Sequence, residues 1–460
     1  MERISLSEKI ADFAIQFSLG QVPLEVQQYA KLMMADAMGC AIAAYDLDNT
    51  TAVRKTVIEF GSKTQSTIWG TKDKVGIADA ILVNASMIHG MDFDDTHVGG
   101  IVHPSAGVVS TAISVGEAVN ASGKEILEAI ICGYEIIIRL ALAAQGGFHD
   151  IGFHGTAIVA PFAAVCVAGK LFHSPKKVIM NALGICGSQA AGLQEFLHDG
   201  AAVKKLHPGW GGHSAIYALK LAEYGLTGPN KVFEGDFGLY QTHIGNTAGI
   251  EKAFSDLGKK WLTQEISVKL YPCCAMTHSF VDCTSFLLSN EAFSLQDIEK
   301  IECRIAKRYY SIVCVPDEAK KRPTTEYGMK FSLPYIVAMT LYKHKFSPAE
   351  IDGKFVKDSQ ATELMDKVNC VEDDKVDNVG HFPGWVKITL KNGQIYFKEQ
   401  RFEQGAKENP IGKEAIIEKF KNNAQIKLSK QHVLELLNTI QNIENIRMDT
   451  LLNSLNNWNE

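Results

Sequence analysis

Trp385-Val386-Lys387-Ile388-Thr389-Leu390, Lys391-Asn392-Gly393 and Gln394-Ile395-Tyr396-Phe397 form the stretch that decides the fold. Two alternating runs flank Asn-Gly, which readily supplies the positive φ of a tight hairpin turn. Working outward, 298–306 alternates in the same way. Glu265-Ile266-Ser267-Val268-Lys269-Leu270-Tyr271-Pro272 also alternates and stops at proline, which predicts a strand followed by a turn. Helical spacing occupies 335–342 and 361–368 between these strands. Outside the region the period changes. From residue 1 to about 265 apolar residues recur at i, i+3 and i+4, and helices return over 413–420 and 430–440. The expected architecture is mainly α with an inserted α+β domain. A large helical domain is drawn from both chain ends (1–266 and 399–460), and the α+β domain spans 267–398.

The chain has 460 residues, enough for two or three units at roughly 150 residues each. At 46% hydrophobic and 21% charged it has the balance of a globular protein, not a disordered one. A net charge of −6 leaves no broad basic surface, so neither nucleic acid nor an anionic membrane is an expected partner. An anionic ligand would need cations gathered locally. Glu2, Arg3, Glu8, Lys9 and Asp12 break up the first fifteen residues, which do not read as a secretory leader. The apolar runs 129–144 and 155–169 are interrupted or too short to span a membrane and read as buried helices. Ten cysteines include no C-x-x-C pair and mostly sit in apolar runs, which suits a reducing cytoplasm. The stretch 101–225 is rich in Ala and Gly, predicting helices that approach closely.

The densest chemistry lies at His89-Gly90-Met91-Asp92-Phe93-Asp94-Asp95-Thr96-His97, followed by His103-Pro104-Ser105. On a helix over 89–97, His89, Asp92 and Thr96 would share a face, with Asp94 and His97 pointing elsewhere. Three carboxylates in four positions repel one another, so at least one needs a cation, a hydrogen-bond donor or a raised pKa. A solvated acidic helix end and a Mg²⁺ site at Asp92, Asp94 and Asp95 are the competing readings; no second acidic cluster in the helical part completes the latter. His103-Pro104-Ser105 precedes an apolar helix expected over 106–119, with Pro104 and Ser105 suited to its first turn, and His154-Gly155 precedes another expected over 156–172. His207-Pro208-Gly209-Trp210-Gly211-Gly212-His213 precedes a third, expected over 214–224, with Lys204 and Lys205 just before it. Helix starts offer unpaired N–H groups to anions, and imidazole exchanges protons near neutral pH. Convergence of His103, His154, His207 and Lys204 on an anion is therefore the favoured reading over separate caps. Zinc is the other use of such residues, but H-x-x-x-H spacing is absent. Lys269, at the end of the expected first strand of the insert, would complete a cationic cleft or else sit on an exposed edge. No phosphate-binding glycine loop and no G-x-S-x-G elbow occurs.

The runs HGMDFDDTHVGGIVHPSAGVV, GFHGTAIVAPFAA and VKKLHPGWGGHSAIYALKLAEYGLTGP resemble the MmgE/PrpD family, as do SVKLYPCCAMTHSF, KRPTTEYGMKFSLPYIVA and RFEQGAKENP. The likeness spans nearly the whole chain. That family includes 2-methylcitrate dehydratases, cis-aconitate decarboxylases and iminodisuccinate epimerases. The resemblance implies a helical domain with an α+β lid, a homodimer, no metal or organic cofactor, and an active site between the domains. It implies catalytic roles for His103, His154, Asp92, Lys204 and Lys269, and substrate binding by Thr96; His207 joins as a substrate-binding candidate from its helix start. A lid tyrosine, Tyr309 or Tyr310, is implied as well. Ala106-Gly107 stands where the dehydratases carry Asp-Asn, which sets the chain nearer the decarboxylase and epimerase branches. The implied activity is that of a cofactor-independent lyase on a small di- or tricarboxylic acid. An epimerase and a non-catalytic carboxylate-binding homologue are the alternatives.

Overall fold

The computed structural model describes residues 4–378, 380–456 and 458. The expected domain limits at residues 1 and 460, and Glu2 and Arg3 of the leader reading, lie outside the described residues. The fold is mainly α with an inserted α+β domain. Two compact units are present. The first takes the residues up to Gln194, Val203–Val268 and the chain from Gly412 onward; the second takes Glu195–Ala202 and Lys269–Ile411.

In the first unit the helices Leu24–Ala43, Ile77–Ile88, Pro104–Val119, Gly123–Ala144, Gly155–Leu171 and His207–Glu223 build the core. Their starts follow from local chemistry. Ser122 and Glu125 form a reciprocal capping box, with Ser122 N–H donating to Glu125 at 2.8 Å. Every residue of Gly155–Leu171 except Lys170 is buried, as an all-round apolar helix requires.

Glycine governs how the helices approach. A Cβ on Gly209 would stand 2.6 Å from the Leu82 carbonyl oxygen, one on Gly211 3.0 Å from Ala160 Cβ, and one on Gly212 2.4 Å from Ile81 Cγ2. Three glycines thus let His207–Glu223 press against two neighbouring helices. Packing overrides the low helix propensity of glycine here, so the helix begins at His207, seven residues before the expected start at 214. From the far end of the chain, Lys419 on the helix Lys413–Ala424 meets Asp36 at 2.7 Å, both side chains nearly fully buried.

The expected strand at 265–272 does not form. Ser267 makes one bridge, to Thr96, and Ile266 to Lys269 are all buried without alternation. In the second unit the strands are β1 (Ile298–Ile305), β2 (Val368–Glu372), β3 (Gly384–Leu390) and β4 (Ile395–Gln400). Their order is β2-β1-β3-β4, with β1 parallel to β2 and the other pairs antiparallel. The β3–β4 hairpin turns at Asn392-Gly393, with Gly393 at φ 86°. The helices Leu333–Lys343 and Ser359–Lys367 lie in the crossover between the parallel strands, and His278–Asn290 packs on β3 and β4. No helix among the described residues is long and apolar enough to cross a membrane.

Candidate active site

The helix Ile77–Ile88 stops at His89, its C-cap, with Gly90 following. The chain then turns, with Asp92 in the left-handed region at φ 54°. The helical face expected over 89–97 is therefore absent. Asp94, which on a helix would point away, swings back so that both its oxygens lie 2.9 Å from His89 Nδ1. Two anchors hold this turn. Lys419 Nζ donates to the Phe93 carbonyl at 2.7 Å, and Thr96 and Ser267 exchange backbone hydrogen bonds of 2.8 and 2.7 Å.

Each carboxylate has its own partner. Asp92, fully buried, lies 2.6 Å from the Lys204 ammonium, itself only 5% exposed. Asp94 takes His89. Asp95 accepts from the Ser105 backbone N–H at 3.1 Å and from its hydroxyl at 2.5 Å. Burial, then the nearby Asp94 charge, pushes Asp95 up to about 8, which keeps it a neutral acid at pH 7.

The histidines sit where three helices begin. His103 is the N-cap of Pro104–Val119, and its N–H donates to Thr156 Oγ1 at 3.0 Å. Its Nδ1 lies 2.8 Å from the Asp95 carbonyl and 3.1 Å from Thr96 Oγ1. A carbonyl can only accept, so Nδ1 carries the proton and Nε2, 3.5 Å from the Lys204 ammonium, presents a lone pair. His154 is the N-cap of Gly155–Leu171, and its Nδ1 lies 3.0 Å from Nδ1 of His207. Burial, then the Lys204 charge, holds His154 well below the usual imidazole range. Burial, with the neighbouring His89 and Lys204 adding to it, takes His207 down to about 4. The ring centroids of His89, His103 and His154 are 4.8, 5.9 and 6.0 Å apart.

Asp92, Thr96, His103, His154, Lys204 and His207 are thus brought together, buried, within the first unit. Lys269 belongs to the second unit and is buried. Lys205 reaches Asn49 instead, and His213 lies inside its helix, stacked on Trp210 and Tyr217. Tyr309 is buried in the second unit and Tyr310 is half-buried.

Ligand atoms of His89, His103 and His154, and of His89, Asp92, Asp94 and His103, lie within 4.8 Å of one another, a spacing a metal could draw in. The cation already standing there is Lys204, against Asp92 and beside His103. His89 lies in the segment the sequence singles out but receives no site role from it. Its Nε2 is buried with no hydrogen-bond partner among the described residues, a situation that costs about 1–3 kcal/mol. Gly90 was the available signal, since a glycine just after an apolar helix marks its end and would have freed Asp94 from the helical face.

Residues 8–249 match the family model for the MmgE/PrpD N-terminal domain, and 271–445 match that for the C-terminal domain. The chain is 23% identical to the cis-aconitate decarboxylase of Aspergillus terreus, covering 98% of this chain and 96% of that protein. It is 25% identical to the human cis-aconitate decarboxylase, covering 98% and 94%. Identity to the 2-methylcitrate dehydratase of Escherichia coli strain K12 is 22%, covering 90% and 89%.

Proposed function

The chain belongs to the MmgE/PrpD family, and from that premise we propose a cofactor-independent lyase that acts on a small di- or tricarboxylic acid, with decarboxylation of the cis-aconitate type as the reaction. The observation that carries this reading is the buried set of Lys204, Asp92, His103 and His154 in a chain of net charge −6. One buried cation and two imidazoles are gathered there, in a chain whose net charge disfavours a polyanion. Ala106-Gly107 and the longer coverage by decarboxylase relatives favour decarboxylation over dehydration. In this reading the protein works as a cytoplasmic homodimer without metal.

When the C–C bond to one carboxylate breaks, CO2 departs and the bonding pair forms a new double bond to the central carbon; the original π pair shifts to the far carbon, where a proton must arrive. Developing negative charge of this kind needs preorganised donors in a site shielded from water. Lys204, held by Asp92, supplies one. His103 is the proton carrier: its Nδ1 is committed to the Asp95 carbonyl, so Nε2 is the atom that exchanges protons. His154, kept neutral by burial, can donate to or accept from substrate oxygen without adding charge. His207 shares a hydrogen bond with His154 between their Nδ1 atoms, and Thr96 orients His103.

NMR in D₂O with cis-aconitate, 2-methylcitrate and iminodisuccinate, each alone, tests the reading. Itaconate carrying solvent deuterium is the expected result. Formation of 2-methylaconitate would make the protein a dehydratase, and deuterium wash-in without net product an epimerase. Tight binding with no product would make it a carboxylate-binding homologue.

A further inference from the structure

One ring nitrogen from each of His89, His103 and His154 lies within 4.8 Å of the other two, and all three side chains are buried. A histidine that binds metal through one nitrogen is normally held at the other by a hydrogen-bond partner, which fixes its tautomer. Each of these rings is held in that way. His89 Nδ1 lies 2.9 Å from both oxygens of Asp94, His103 Nδ1 2.8 Å from the Asp95 carbonyl, and His154 Nδ1 3.0 Å from His207 Nδ1. A carboxylate and a carbonyl accept, so Nε2 is the lone-pair nitrogen of His89 and of His103. With the shared proton on His154 Nδ1, the same holds for His154. His89 Nε2 is moreover buried without a hydrogen-bond partner among the described residues. No local spacing gives the set away, because its members come from the end of one helix and the starts of two others.

We infer that Nε2 of His89, His103 and His154 form a binding site for Zn²⁺, and that the metal there is an inhibitor of the enzyme, not its cofactor. Three imidazoles suit zinc, which takes them at about 2.0–2.1 Å and so brings neighbouring ligands to about 3.3 Å from one another. The rings draw inward on binding. A carboxylate oxygen of Asp92 has the same 4.8 Å spacing to ring nitrogens of His89 and His103 and supplies the fourth ligand. Lys204 is what the metal has to displace. Its ammonium stands 2.6 Å from Asp92 and 3.5 Å from His103 Nε2, so zinc and lysine compete for the same two partners. Two cations this close repel strongly in a buried site. Zinc also occupies His103 Nε2, the atom assigned to proton exchange, and turnover stops. The metal site stands on this geometry; only its effect on rate rests on the lyase reading.

The full-length protein, stripped of metal by dialysis against a chelator, is titrated with zinc chloride in a calorimeter, and the zinc X-ray absorption spectrum of the complex is recorded. One saturable site per chain is expected, with an imidazole-rich shell at about 2.0–2.1 Å. His89→Gln should lose the site. Asp94→Asn keeps every ligand but removes the carboxylate behind His89, and should weaken Kd by about 10- to 100-fold. Lys204→Met removes the competing cation and should lower Kd. Circular dichroism checks the folding of each variant; if His89→Gln does not fold, the other two decide. No saturable site, a sulfur-dominated shell, unchanged binding in folded His89→Gln or an unchanged Kd in Lys204→Met overturns the site and leaves the lyase reading standing. With the substrate that the NMR panel identifies, filling the site should abolish turnover, and a chelator should restore it. Full turnover with the site filled overturns the inhibitory role. A protein that turns over none of the three acids overturns the lyase reading and the inhibition with it, while calorimetry and absorption still decide the site.

Discussion

Asp95 shows how a single side chain in the turn is tuned by its surroundings. Its carboxyl is raised to about 8 in the folded protein, against an ordinary value near 3.8 once unfolded. Between those values the folded state binds the extra proton, so this group's contribution favours folding at low pH and fades as pH rises towards 8. Asp95→Asn removes that dependence. Thermal melts from pH 5 to 8 should show the wild type losing more Tm than the variant over this window. Parallel curves would mean that Asp95 is ionised throughout. Residue identities were the legible part here: Asp92, His103, His154 and Lys204 stand out from the sequence by charge and by position before helices. The pairing of His89 with Asp94 did not, because it depends on a left-handed residue at Asp92 that no periodicity reveals.

At the level of elements, the hairpin at Asn392-Gly393 was readable, and the helix starts at Pro104 and Gly155 were readable to within about two residues, because turn chemistry and capping are local. The start of His207–Glu223 was not. Glycines that look like helix breakers are contact points, and only the neighbouring helices explain them. The strand read at 265–272 failed for the same kind of reason, since alternation cannot show whether a partner strand exists. Gly209→Ala puts a methyl 2.6 Å from the Leu82 carbonyl oxygen, where backbone has to move. Urea unfolding should show a loss of about 1–3 kcal/mol, as overpacking typically gives. Unchanged stability would mean that the two helices are not held at this distance.

For the whole molecule, the chain's far end reaches back to the acidic turn through Lys419, which bonds Asp36 and the Phe93 carbonyl. The two periodicities made the split origin of the helical domain legible, but not this link, since Asp36 and Lys419 are separated by most of the sequence. Lys419→Met leaves Asp36 buried without its cation and should cost about 3–5 kcal/mol in chemical unfolding. A loss under 1 kcal/mol would show that the pair is open to water. The central claim is that a buried imidazole–lysine cluster in an acidic chain carries lyase chemistry on a small carboxylate. The most direct measurement is the rate of itaconate formation from cis-aconitate by the wild type and by His103→Ala, with folding of both checked by circular dichroism. The account predicts turnover by the wild type and a fall in kcat of about 10²- to 10⁴-fold in the variant. Equal rates in two folded proteins, or no itaconate from the wild type, would contradict it.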